Sequence, residues 1–270
     1  MIDVIKYIIL GLVQGVAEVL PISSSAHLLI VQEIMGMSDN TLTFEVLLHL
    51  ASLIAIFVFL WKKIVNLVKG FCLYVFKKNQ DYKLEFKYCL FLVLSTIPTV
   101  IFTLVFKDLI DTLSSTLWFV GILLMINGIL LMVFTKIKGE RTTSDLNYKD
   151  ALLIGCFQCA GVFPGISRSG SCLCGAFTRK IEKQTAADYA FLMFIPAVLG
   201  ATVLELFNLK STSIDSNMIV LYAISFIIAM ITTYFSFKIL LSVIRKGKLN
   251  YFSYYCLAVG LTVLIYEIVK

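Results

Sequence analysis

Apolar residues run through this chain in long unbroken stretches, with none of the short periodic stripes of a water-soluble fold. Six stretches, over 44–61, 88–106, 117–135, 186–207, 218–237 and 252–269, match the ~20 residues a helix needs to cross a bilayer. Two further regions, 4–36 and 151–178, behave differently. Each begins as an apolar helical run, breaks at a proline (Pro21, Pro164) into Ser- and Gly-rich sequence, and resumes in a segment too short to cross. Irregular backbone survives at membrane depth only where protein or a water-filled cavity surrounds it. The pattern therefore predicts an all-α polytopic membrane protein: six spanning helices plus two re-entrant helical hairpins, in one integral membrane domain over 1–270.

Composition agrees and closes other routes. The chain is 59% hydrophobic and 15% charged, where a soluble domain carries ~25% charged residues. Soluble enzymes, nucleic-acid-binding domains and secreted disulfide scaffolds are excluded as whole-chain readings. The net charge of +6 sits in loops. Lysines and arginines crowd 62–87, 136–150, 179–183 and 238–251, whereas 107–116 holds only Lys107 and 208–217 only Lys210. The positive-inside rule places the rich loops in the cytoplasm, so the 4–43 region starts and ends outside and 151–185 starts and ends inside. Both termini are then outside. The halves, about 1–140 and 150–270, take opposite orientations.

A repeat is visible in the residues themselves. Gly11-Leu12-Val13-Gln14 aligns with Gly155-Cys156-Phe157-Gln158 at an offset of 144, and Ile22-Ser23-Ser24-Ser25 meets Ile166-Ser167-Arg168-Ser169 at the same offset. Together with the charge argument this predicts an inverted-topology repeat, a design that places a site near the midplane where broken segments meet. Seven cysteines, mostly in or beside apolar stretches, make neither a disulfide framework nor a recognisable zinc spacing and read as packing residues. The first residues are not expected to be a cleaved signal peptide, because Gln14 and Glu18 interrupt its apolar core.

Two polar constellations carry candidate chemistry. In the first, Gln14 and Glu18 lie four apart on one helical face, and Pro21-Ile22-Ser23-Ser24-Ser25-Ala26-His27 follows. An ionisable residue inside a membrane segment is costly and marks a functional candidate. A carboxylate, a hydroxyl and an imidazole beside one break can activate a nucleophile and move a proton. The second is Pro164-Gly165-Ile166-Ser167-Arg168-Ser169-Gly170-Ser171-Cys172. Gly165 and Gly170 allow close backbone approach, successive N–H groups can form an anion nest, and Arg168 offers a planar fork to phosphate oxygens. A plain ion pair between Arg168 and Glu18 is the alternative. Glu45 and His49, one turn apart, either line a cavity or sit at the interface; Asn127, Gln158 and Glu205 read as interhelical hydrogen-bonding groups.

These motifs together resemble the undecaprenyl-pyrophosphate phosphatase family, bacterial enzymes associated with bacitracin resistance. The carrying residues are Gln14-Gly-Val-Ala-Glu18 through Pro21-Ile-Ser-Ser24-Ser-Ala-His27, and Pro164-Gly-Ile-Ser167-Arg168-Ser-Gly. The resemblance spans the full chain. It implies a bacterial plasma-membrane hydrolase that removes the terminal phosphate from undecaprenyl pyrophosphate, recycling the lipid carrier for cell-wall synthesis. It also implies a site open to the outer face and a divalent cation, Mg²⁺ or Ca²⁺, with Glu18 as its ligand. By matching position, Glu18, Ser24, His27, Ser167 and Arg168 correspond to residues implicated in that activity. Gln14 stands where the family uses Glu or Gln, which weakens any two-carboxylate scheme; Cys172 replaces a frequent threonine.

The expected site is therefore catalytic Glu18, Ser24, His27 and Arg168, with substrate held by Gln14, Ser23, Ser25, Gly165, Ile166, Ser167, Ser169 and Gly170. Ser24 is the favoured nucleophile with His27 as proton shuttle; water activated by Glu18 or His27 is the other route. The expected partners are the polyprenyl pyrophosphate and membrane lipids, not nucleic acid, and a homodimer stays open. A lipid-phosphate flippase would need the anion nest but no nucleophile. An ion-coupled transporter would release no phosphate.

Overall fold

The computed structural model describes residues 2–37, 42–114, 116–208 and 216–270. The chain is all-helical there, apart from short turns and one isolated bridge between Arg141 and Ile181. The first broken region is α1 (Ile2–Ala17) and α2 (Ser24–Ile34); the second is α8 (Tyr148–Ala160) and α9 (Arg168–Thr178). Between them come α3 (Leu42–Phe59), α4 (Trp61–Lys77), α5 (Lys83–Val105), α6 (Lys107–Ser114) and α7 (Leu117–Phe134). The chain ends in α10 (Lys183–Asn208), α11 (Ser216–Arg245) and α12 (Asn250–Val269). Among the described residues, α5, α7, α11 and α12 are long and apolar enough to cross a membrane, and α3 with α4 makes a fifth candidate bent by 79°. Their outer faces stay apolar and unpacked, as at Val93, Val100, Ile101 and Leu104 of α5, which suits lipid contact and not water.

The breaks follow from their residues. Pro21 has no N–H to continue α1, and Ser23 takes φ 71° before α2 restarts. In the second break Gly165 adopts φ 113°, a conformation open to glycine and to few other residues. An added Cβ there would strike the α7 backbone at Val120. Asn147 starts α8 by accepting from the Lys149 and Asp150 N–H groups. At that end Asp150, 1% exposed, takes a bidentate pair from Arg141 (2.9 and 2.6 Å) and a 2.6 Å bond from Arg179. This ties the 136–147 connection to the end of α9.

Helix packing is close where side chains are small. Gly11 and Gly15 bring α1 against Ser225, Ala229 and Thr232 of α11, and Gly155 brings α8 against Ser95 and Pro98 of α5. α7 lies along α12 through Gly121 and Gly260. Buried hydrogen bonds pin neighbouring helices, including Ser52 to Thr233 (3.0 Å) and Ser95 to Tyr189 (2.6 Å).

Two expectations are corrected in detail. The lysine-rich 62–87 region is not a simple loop: α4 occupies most of it, with Val65, Val68 and Phe76 exposed beside its lysines. That is the character of a helix lying in the membrane interface, and Lys63 ties it to Asp188 of α10 at 2.6 Å. The stretch expected to end at 237 continues helically to Arg245, because nothing between breaks it. The Glu205 side chain and Lys210 lie outside the described residues.

Candidate active site

Both breaks open on one cavity of about 280 Å³. Glu18, Ser23, Ser24, Ser25, Ile166, Ser167, Arg168 and Ser169 line it, joined by Glu45 and His49 of α3 and Thr99 and Thr103 of α5. The first residue of α2 is Ser24 and the first of α9 is Arg168, so the amino ends of two helices face this space. Such ends present unpaired N–H groups and positive potential, the condition for holding an anion.

Glu18 organises the first side. Its Oε2 accepts from Ser24 Oγ at 2.6 Å and from Gln14 Nε2 at 2.8 Å, and lies 2.9 Å from His49 Nδ1. His49 Nδ1 also lies 3.2 Å from Gln14 Nε2: with its proton on Nδ1 the ring donates to the Glu18 carboxylate, and in the other tautomer it accepts from Gln14. All three contacts fall on Oε2, which leaves Oε1 for the cavity. Gln14 is fully buried behind Glu18 and orients it without reaching the cavity wall.

Arg168 stands opposite, its guanidinium 5.1 Å from the centre of the Phe194 ring. Among the described residues it forms no ion pair, so the alternative of a Glu18–Arg168 bridge is not what the structure has; Glu18 is taken by His49. The backbone around it is partly spent. Gly165 N–H donates to Ser23 Oγ (2.9 Å), Ser167 N–H to Asn127 Oδ1 (3.1 Å) and Gly170 N–H to Ser167 Oγ (3.1 Å). The expected nest across Gly165–Gly170 therefore narrows to the first turn of α9. There the amides of Arg168 and Ser169 remain, with the linked Ser167 and Ser169 hydroxyls (3.1 Å). Gly165 and Gly170 shape the backbone and do not line the wall.

His27 is placed elsewhere. Its Nδ1 lies 2.8 Å from the Ser23 carbonyl and its Nε2 2.8 Å from the Tyr255 hydroxyl, so the spacing of three from Ser24 does not bring it to that serine. Cys172 is buried and donates to Gln158 Oε1 at 3.4 Å, and Gln158 reaches Thr99 at 2.9 Å. Asn127 joins the two breaks directly, donating to the Pro21 carbonyl (3.0 Å) while accepting from Ser167 N–H. Reasoning from sequence marked Asn127 as an interhelical bond without its partners. It left Glu45 and His49 open and gave no signal for Tyr255, Thr99 or Thr103.

The donor set suits a hard cation in part. Glu18, Glu45 and the serine hydroxyls present oxygen to one cavity, which fits Mg²⁺ or Ca²⁺ when phosphate oxygens complete the shell. Among the described residues no three His, Cys, Asp or Glu side chains converge to hold a metal by themselves.

Comparison with known proteins extends over nearly the whole chain. The family described as "Bacitracin resistance protein BacA" matches residues 7–262. The chain is 36% identical to "Undecaprenyl-diphosphatase 1" of Bacillus cereus over 263 residues, 97% of each protein. It is 37% identical to "Undecaprenyl-diphosphatase" of Oceanobacillus iheyensis, covering 97% of this chain and 96% of that one. With "Undecaprenyl-diphosphatase" of Methanosphaera stadtmanae it shares 38% identity over the full length of both.

Proposed function

The chain belongs to the bacitracin resistance protein BacA family, and from that premise we propose how its cavity acts on a lipid pyrophosphate. It is an undecaprenyl-diphosphatase: it hydrolyses undecaprenyl pyrophosphate to undecaprenyl phosphate and inorganic phosphate. The observation that carries the mechanism is the 2.6 Å bond from Ser24 Oγ to Glu18 Oε2, in a cavity that also holds Arg168.

Phosphoryl transfer is governed by positioning and charge stabilisation. Arg168 and the first turns of α2 and α9 hold the terminal phosphate, with Ser25, Ser167 and Ser169 donating to its oxygens. Ser24 Oγ attacks the terminal phosphorus as its proton passes to Glu18. The bond from phosphorus to the bridging oxygen breaks, and undecaprenyl phosphate leaves with that oxygen. Water then attacks the phosphoserine, phosphate departs, and Ser24 recovers a proton. Gln14 and His49 hold the Glu18 carboxylate on line throughout. This takes the proton-handling role expected of His27 and gives it to Glu18, positioned by His49. A divalent cation, held by Glu18 and Glu45 with the pyrophosphate, would neutralise charge developing on the phosphate oxygens.

The same reading covers topology. Six spans (α3, α5, α7, α10, α11, α12) and two re-entrant hairpins form an inverted repeat of halves at about 1–140 and 150–270. Three observations support it. α2 and α9 begin and end 144 residues apart, at 24 and 168 and at 34 and 178. α1 packs on α11 as α8 packs on α5. Gly11 meets the Ser225 carbonyl as Gly155 meets that of Ser95. Lys6 bonds the Met35 carbonyl (2.8 Å) and Lys270 bonds Glu33 (2.6 Å), which supports α1 starting and α12 ending on the side where α2 ends. The lysine-rich loops mark the other side as cytoplasmic. The site then opens to the outer face of the plasma membrane.

The test follows phosphate release from C55 pyrophosphate by detergent-purified protein, with and without EDTA. Ser24→Ala and Arg168→Ala are each expected to lose at least ~100-fold in turnover, the scale of removing a nucleophile or a charge-stabilising group. Full turnover by Ser24→Ala would transfer the attack to water, and full turnover by Arg168→Ala would remove the phosphate cradle from α9.

A further inference from the structure

His27 lies in the first turn of α2, and both of its ring nitrogens are engaged. The Ser23 carbonyl, 2.8 Å from Nδ1, can only accept, so Nδ1 carries the proton. The neutral ring then offers its Nε2 lone pair, and the Tyr255 hydroxyl of α12 donates to it at 2.8 Å. The two rings also stack, 5.5 Å between centroids and 12° between planes. Neither nitrogen is left for a substrate, and the cavity wall contains Glu18, Ser24 and Arg168 but not His27.

Ser23 is the residue these contacts serve. Its φ of 71° and ψ of 99° are disfavoured for a residue with a side chain and persist only where the surroundings hold them. The carbonyl is held by His27 Nδ1 and, at 3.3 Å, by the His27 backbone N–H. The hydroxyl accepts from Gly165 N–H, which belongs to the other break. Ser23 is also the cap residue from which α2 starts, so its setting decides where the next side chain, Ser24, points.

We propose that Tyr255 and His27 form a positioning pair, which holds Ser23 in its strained setting so that Ser24 meets Glu18, and that neither residue exchanges a proton with the pyrophosphate. The proposal deepens the reading above and rests on Ser24 as the attacking group.

Isosteric variants of His27 separate positioning from proton transfer. In His27→Asn the carboxamide nitrogen reaches the Nδ1 position and can donate to Ser23, yet it cannot titrate. In His27→Gln the amide reaches toward Tyr255 and leaves the Ser23 carbonyl without its side-chain partner. Measured by phosphate release, His27→Ala and His27→Gln are expected to lose about tenfold or more in kcat with KM little changed, the effect of a slightly misplaced nucleophile. His27→Asn recovers most of that loss and keeps both limbs of the wild-type pH profile. Tyr255→Phe loses roughly threefold to tenfold alone and little more in the His27→Ala background, because residues acting as one unit are not additive.

Equal losses in His27→Asn and His27→Ala, or a missing pH limb in His27→Asn, would overturn the proposal in favour of proton transfer. Wild-type turnover by Tyr255→Phe would remove Tyr255 from the pair and overturn it as stated. Should His27→Ala fail to fold, the comparison of His27→Asn with His27→Gln decides. Ser24→Ala is assayed alongside: if it turns over freely, the nucleophile assignment fails, a result distinct from any in the His27 series.

Discussion

Replacing Asn127 by alanine tests whether one side chain keeps the two breaks in register. Asn127 sits in α7, 1% exposed, and belongs to neither motif. Its amide donates to the Pro21 carbonyl at 3.0 Å and its oxygen accepts from the Ser167 N–H at 3.1 Å, so it touches the proline at which one hairpin breaks and the residue that caps α9. Alanine removes both bonds. The Ser167 N–H is left buried without an acceptor, and the Pro21 carbonyl keeps only the Cys256 thiol at 4.0 Å. Each buried group so orphaned costs ~1–3 kcal/mol, which gives about 2–6 kcal/mol if nothing relaxes. Water from the nearby cavity can recover part of this, so the lower half of that range is expected. The functional effect should be larger than the structural one, because a displacement of about 1 Å at the reacting groups can cost ~100-fold. Reversible unfolding in detergent and phosphate release on the same preparation measure the two effects. Wild-type turnover with unchanged unfolding would refute the reasoning and mean that each break holds its own shape.

Three further outcomes follow from other contacts. His49→Ala removes the ring whose Nδ1 lies 2.9 Å from Glu18 Oε2. Turnover should fall roughly 10- to 100-fold, from the ~1.5–3 kcal/mol of a hydrogen bond to a charged group; steady-state kinetics at saturating lipid would show it, and an unchanged kcat would place the histidine outside the mechanism. Asp150→Asn leaves Arg141 and Arg179 without their buried counter-charge. Both arginines are partly solvated, so the loss should lie near the low end of the range for breaking a buried pair, about 3 kcal/mol, read from unfolding midpoints. Asp145 is held below the usual carboxylate range by bonds from the Thr142 backbone N–H and hydroxyl. A depressed pKa in the folded state contributes stability above the unfolded value of 3.8 that is lost as pH falls through the folded value. Amide exchange across 142–146 should therefore be insensitive to this group at neutral pH and accelerate beyond its intrinsic rate only in acid. Asp145→Asn should abolish that acid step.

Much of the molecule could be read from the chain because membrane burial leaves few options. Proline followed by serine and glycine inside an apolar run has to be a protected break, and a buried glutamate or arginine has to face a partner or a ligand. That logic reaches Glu18, Ser24 and Arg168 directly. It reaches His49 only halfway: the turn relating it to Glu45 is local, whereas its bond to Glu18 depends on how α3 leans against α1. His27 shows the opposite case. Its spacing from Ser24 promises a shared face, but a tyrosine 228 residues away holds its ring, and no local pattern encodes that. α4 was hidden because lysines placed among valines and phenylalanines suggest a loop when only their charge is counted. The extent of α11 was hidden because a helix continues past the membrane when nothing stops it.

The exchange of partners between halves has a consequence for how the protein is made. α1 lies against α11, where Gly11 meets Ser225 and Gly15 meets Ala229 and Thr232. The ribosome must add more than 200 residues before that partner exists, roughly 10–40 s at ~5–20 residues per second. Throughout that interval the glycine face of α1 has nothing to cover it, whereas Glu18 already has Gln14, Ser24 and, once α3 is made, His49. Insertion of this chain is therefore a waiting problem: α1 is made long before the helix that completes its packing. Chains stalled before α11 should be the ones that quality-control proteases recognise.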